Sequence, residues 1–284
     1  MKILNNRNKR PELAVFQTKK YRDARVEAHN ALFWMARASH SFLEPTHENS
    51  HLSLLWNEDK CDFRTRLLVD GCRIGLHLPE LELYFCENEE KVPHSFWLDD
   101  RTPAFVEAWY LVEFLHRGID QEKFSTALPF ESPNMLMGDT EDHNASLFKT
   151  ELSAMSECLR YAINILKIVA AQLSKDQDFA DNTSQITLEP QSFTLITKAN
   201  LSTADGKRVL VGFSVGDHLR PTPFFFIKTG ELDAGSKNHL LDYSPNNIIS
   251  LQSINDNNIS GEDLVRSLVS LASGMSFASG LNKP

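Results

Sequence analysis

The run from Ser95 to Asp120, S-F-W-L-D-D-R-T-P-A-F-V-E-A-W-Y-L-V-E-F-L-H-R-G-I-D, carries both ends of a helix in its own letters. Thr102 suits the cap, Pro103 the first helical position, and Gly118 the left-handed residue that stops the helix after Arg117. Between these marks only Glu107, Glu113, His116 and Arg117 interrupt an apolar surface. A helix that is apolar almost all round has to be covered on most sides, so Trp109, Leu111, Val112 and Leu115 are expected in a core. The helix locates the centre of a fold and specifies no chemistry.

The elements around it are legible from periodicity. Thr18 to Leu43 reads as a long helix, with Tyr21, Ala24, Ala28, Ala31, Met35, Ala38 and Phe42 forming one seam up to Pro45. Four strand-like runs follow, at 51–57, 61–69, 73–85 and 92–98, joined by E-D-K, D-G and E-N-E-E-K. Joints this short predict an antiparallel meander. Alternation puts Leu52, Leu54, Trp56, Phe63, Thr65, Leu67, Val69, Ile74, Leu76 and Leu78 on the core face.

A second long helix is expected from Ser146 to Ser174, with Leu152, Met155, Leu159, Ala162, Leu166, Val169 and Leu173 in its seam. Strands recur at 192–201, 207–213, 223–228 and 248–254, with Asp205-Gly206 as a hairpin turn, and a closing helix runs from Ile259 to Gly274. The expected class is therefore α+β, built of two halves that each combine helices with an antiparallel sheet. The shared order leaves an internal pseudo-repeat open. The expected divisions are a basic arm over 1–17, a first half over 18–130, a linker over 131–145, a second half over 146–275 and a loose tail over 276–284.

The formal charge of −9 excludes a general nucleic-acid binder, which needs an excess of Lys and Arg, and it equally disfavours an anionic membrane surface. Residues 1–37 are the exception, with nine Lys and Arg against three acids. No run approaches the roughly 20 apolar residues that span a bilayer, and N-N-R-N-K-R follows Met1–Leu4 where a signal peptide would need an apolar stretch. Cys61, Cys72, Cys86 and Cys158 lack metal-finger spacing and are expected as reduced thiols in the cytoplasm.

Two motifs match by letter. His47-Glu48-Asn49-Ser50-His51 is an H-E-x-x-H, which on an α-helix lets two imidazoles bind zinc while the glutamate activates water. Pro45 and the strand-like alternation after His51 place it instead at a helix-to-strand turn. A metal-dependent hydrolase using His47, Glu48 and His51 is the alternative, with zinc as its cofactor; the leading reading has no cofactor. Gly212-Phe213-Ser214-Val215-Gly216 matches the nucleophile elbow, but a second strand follows where that motif requires a helix. Asp139-Thr140-Glu141-Asp142-His143 lacks calcium-loop spacing, and no glycine-rich phosphate loop is present.

The polar face of the first sheet is more informative. Alternation sets His51, Ser53, Arg64, Arg66, Arg73 and His77 opposite the core. Arginine forks fit carboxylates and phosphates, so Arg64, Arg66, Arg73, His77 and His51 are the candidate site for a small anion or an acidic protein surface.

In its order of features the chain resembles a bacterial family known only as a domain of unknown function. The likeness rests on Leu43-x-Pro45, His51 entering a strand, the meander, the 102–117 helix with Leu128-Pro129-Phe130 beyond it, and Gly212-Phe213 leading to Pro223-Phe224-Phe225-Phe226. The family pattern has two histidines three apart at the junction; here Glu48 stands three before His51. The resemblance implies no activity. The expectation is a non-catalytic binding or interaction protein, with a scaffold self-associating through the 146–174 helix, as a homodimer, as a further alternative.

Overall fold

A computed structural model describes residues 11–69, 71–132, 134–139, 141–174, 186–197, 201–202, 208–230 and 247–273. Asp70, the Asp205-Gly206 turn, the 175–185 break, the first ten residues and the tail from 274 lie outside them. The fold is α+β, and its ladders are antiparallel. Among the described residues no helix is long and apolar enough to cross a membrane. The chain forms two compact units, one of residues 18–156 with 188–193, the other of 1–17, 157–187 and 194–284.

In the first unit, helix α2 (Lys19–Phe42) is capped by Thr18, whose Oγ1 accepts from the Tyr21 amide. A short helix α1 (Leu13–Phe16) precedes it in sequence, and Phe16 is fully buried inside the segment expected as an arm. The sheet runs through β1 (Leu54–Asn57), β2 (Asp62–Arg64), β3 (Cys72–His77) and β4 (Glu82–Glu87), with β5 (Glu90–Lys91) and β6 (Phe96–Trp97) both paired to β4. Trp56 faces Phe63 and Phe63 faces Leu76 across the ladder, the core face that alternation predicts.

The run 73–85 is not one strand. Pro79 has no amide for a ladder, and Leu78–Glu80 is a 3-10 turn closed by Leu81 at φ +47. The chain therefore folds back there, and β3 and β4 form a hairpin.

Helix α3 (Pro103–His116) ends at Gly118, φ +66, as its sequence requires. Its start differs from the expectation. Thr102 Oγ1 makes no capping bond, and the orphan amide of Ala104 donates to Gly138 O at 3.0 Å. The core face is Val106, Tyr110 and Phe114, packed on Trp34, Phe42 and Phe85. Trp109 and Leu111 are only half-buried, and Val112 and Leu115 are exposed, contrary to their expected place in the core. One packed side suffices for this helix.

Residues 131–145, expected as a linker, are stitched to this unit. Asn30 Nδ2 donates to Asn134 O and its Oδ1 accepts from the Leu136 amide, while the His143 amide donates to Arg101 O. His143 is buried, with Nδ1 3.0 Å from Glu27.

Helix α4 (Lys149–Ser174) contributes its first turns to the first unit and residues 157–174 to the second. Leu159 and Leu166, in the seam that the scaffold reading would use, are fully buried.

Strand β7 (Ile186–Glu189) has its first two residues in the second unit and its last two in the first; in the second unit β8 (Thr194–Thr197) and β9 (Leu201–Ser202) pair with β10 (Arg208–Ser214), and β11 (Phe224–Gly230) and β12 (Ile248–Ser250) follow. A side chain on Gly212 would overlap the Phe226 ring. Ser250 caps α5 (Leu251–Asp256), which shortens the expected last strand, and Ser260 caps α6 (Gly261–Ala272) through the Asp263 amide.

Candidate functional site

The register fixes which side chains share the polar face. Arg64 pairs with Gly75, Gly75 with Tyr84, Arg73 with Cys86 and His77 with Glu82. Paired residues of an antiparallel ladder point the same way, so Asp62 and Arg64 meet Arg73, His77, Tyr84 and Cys86 on one surface.

Gly75 lets this surface close. A Cβ there would collide with the Tyr84 ring, which carries its hydroxyl to the Asp62 carboxylate as donor. Arg64 Nε donates to the other Asp62 oxygen at 3.3 Å. Asp62 and Arg64 are both almost entirely buried. Burial pushes the Asp62 carboxyl up, a tendency that Tyr84 and Arg64 oppose. Burial also raises the Cys86 thiol to about 11, which leaves it protonated and inert.

At the end of the hairpin, Asn88 and Glu89 take φ +51 and +68, the two left-handed residues of a two-residue turn. That turn carries Glu89 to the arginines. Its Oε1 accepts from Arg73 Nε at 2.8 Å and its Oε2 from Arg64 Nη1 at 3.2 Å. Arg73 Nη1 also donates to Thr65 O at 3.1 Å. Glu89 is nevertheless 63% exposed, and its carboxyl is held below the usual range, chiefly by the Arg73 hydrogen bond.

Of the five anion-site candidates, Arg64 and Arg73 come together on Glu89. His77 lies at the far end of the same face and pairs with Glu80 at 3.0 Å. Arg66 leaves the surface, because the chain is irregular after Arg64, and its Nε donates to Ser50 O at 3.1 Å. His51 is buried at the α2 junction, with Nδ1 3.3 Å from both the amide and Oγ1 of Thr46 and its ring 5.9 Å from that of His40. Burial, then His40 and Arg66, lower the His51 pKa.

His47–Leu52 is a 3-10 helix, interrupted in conformation by Asn49 at φ +53. A 3-10 backbone brings i and i+3 into line, not i and i+4, so the H-E-x-x-H spacing loses its zinc geometry here. The His47 and Glu48 side chains lie outside the described residues. Among the described residues no three His, Cys, Asp or Glu side chains gather closely enough to hold a metal. The four cysteines are free. Ser214 is buried at the end of β10, its Oγ accepting from the Gly216 amide, and an Asp217 turn follows rather than a helix.

Sequence reasoning missed Asp62, Tyr84 and Glu89. Asp62 was within reach, since it stands two residues before Arg64 and so shares its face. Glu89 was not, because only the Asn88-Glu89 turn conformation directs a loop carboxylate back over the sheet. No protein-family model, curated protein or solved structure matches the chain.

Proposed function

We propose that this chain is a non-catalytic binding protein whose ligand, a polyanionic small molecule or an acidic segment of a partner, takes the place of Glu89 on Arg64 and Arg73. We place it in the cytoplasm, in keeping with four free thiols. The observation that carries the proposal is the geometry of one carboxylate: each oxygen of Glu89 serves a different arginine, yet the residue stands on an exposed turn. The arginines are held ready by other partners, Arg64 by Asp62 and Arg73 by the Thr65 carbonyl.

An exposed ion pair contributes only about 0–1 kcal/mol, so exchanging Glu89 for a ligand anion costs little. A side chain tethered this closely competes at an effective concentration in the millimolar range. A monocarboxylate therefore fails to displace it, and a ligand with two or more anionic groups succeeds. Calorimetric titration of citrate at low salt tests this. Wild type binds, and Arg73→Ala weakens binding at least tenfold; no heat in either protein, or equal affinity in both, refutes the proposal.

A further inference from the structure

We infer that α3 is the interface of a homodimer, in which two copies lay this helix antiparallel across a two-fold axis. The inference is independent of the anion site. Phe105, Val112 and Leu115 are 61%, 48% and 62% exposed, and Met137, beside the Ala104–Gly138 hydrogen bond, is 70% exposed. With Ala108, the helical positions fall at 105, 108, 112 and 115, a three-four-three spacing that makes one stripe. The opposite stripe, Val106, Tyr110 and Phe114, already packs in the core. The helix is thus apolar on two sides and covered on one.

The stripe fits its own copy. In an antiparallel pair centred near residue 110, Phe105 meets the partner's Leu115 and Ala108 meets the partner's Val112. Ala104 and Ala108, both exposed, leave room for the axes to approach within the 8–10 Å of packed helices. The ends also complement each other. Arg101 is exposed, lies over the Phe105 ring and has no carboxylate within ion-pair distance among the described residues. In this pairing it comes level with the partner's Asp120 and Glu122, which are exposed just past the other end of the helix.

Light scattering on the full chain, from about 10 to 100 μM, gives the first readout. The expected mass is twice the 32.2 kDa of one chain, and V112D/L115D halves it without changing far-UV circular dichroism. Because a doubly charged helix is open to the objection of misfolding, F105C/L115C supplies a second readout. Ten helical residues span about 15 Å, beyond any internal disulfide, so in the antiparallel pair oxidation of F105C/L115C yields a covalent dimer while F105C alone does not, whereas random collision would cross-link both. A monomer throughout the concentration range overturns the inference. So does a dimer that survives V112D/L115D, an absence of covalent dimer on oxidation, or a monomer that floats with phosphatidylcholine vesicles.

Discussion

Arg73 Nε donates to Glu89 Oε1 at 2.8 Å, and the second oxygen of the same carboxylate lies 3.2 Å from Arg64 Nη1. The positive surface expected on this sheet is therefore occupied by the chain's own anion. The two contacts differ in energy because the two arginines differ in burial, Arg64 being 4% and Arg73 20% exposed. Arg64→Ala strips Asp62 of its cation inside the protein and is expected to cost about 3–5 kcal/mol. Glu89→Gln removes an exposed partner and is expected to cost less than about 1 kcal/mol. Urea unfolding of the two variants beside wild type measures the contrast, and equal losses would contradict it.

Gly75 and Tyr84 form a second coupled pair. Gly75→Ala forces the Tyr84 ring off the sheet, with an expected loss of about 1–3 kcal/mol. Tyr84→Phe leaves Asp62 without its hydroxyl donor and is expected to cost about 1–3 kcal/mol. Because both changes break the same contact, the double variant should lose less than the sum of the singles. A thermodynamic cycle by chemical denaturation checks this, and strict additivity would mean that the ring does not depend on the glycine.

Two histidines set the acid limb of stability. His29 Nε2 donates to Pro190 O at 2.6 Å, and burial lowers its pKa from 6.5 to about 4. His51 is lowered too, by burial first and then by His40 and Arg66. A histidine lowered in the folded state stays neutral while the unfolded chain takes up a proton, so stability falls as pH drops below about 6.5 and continues to fall toward 4 for His29. Glu89 adds the same sign lower down. Its carboxyl is depressed, so its contribution is present above the unfolded value of 4.5 and is lost as pH falls through the folded one. Denaturant midpoints between pH 7 and 4 should decline, and His29→Gln should flatten the slope. A flat profile in wild type would contradict the assignment.

The sequence was readable where a repeating pattern meets a single packed side. Alternation matched Trp56 to Phe63 and Phe63 to Leu76, and the seam of α2 is buried where its alanines recur. It failed where one residue overrides a pattern. Pro79 breaks an apolar run into a hairpin, and Gly138 supplies the cap that Thr102 does not. It failed again on α3, because an all-round apolar helix does not state which side is covered; Val112 and Leu115 look like Tyr110 and Phe114 in sequence. Of the candidate site, the arginines were visible as charges on alternate positions. Their carboxylate was not, since Glu89 reaches them through a left-handed turn that a charge count does not register.

The most direct test is the citrate affinity of Glu89→Gln relative to wild type, measured by calorimetry at low ionic strength and neutral pH. If Glu89 is the built-in occupant of an anion site, removing its charge frees both arginines, and the variant binds at least tenfold tighter than wild type. If the ion pairs serve only to pin the hairpin, the variant binds citrate no better than wild type, and the account of this face as a ligand site is wrong.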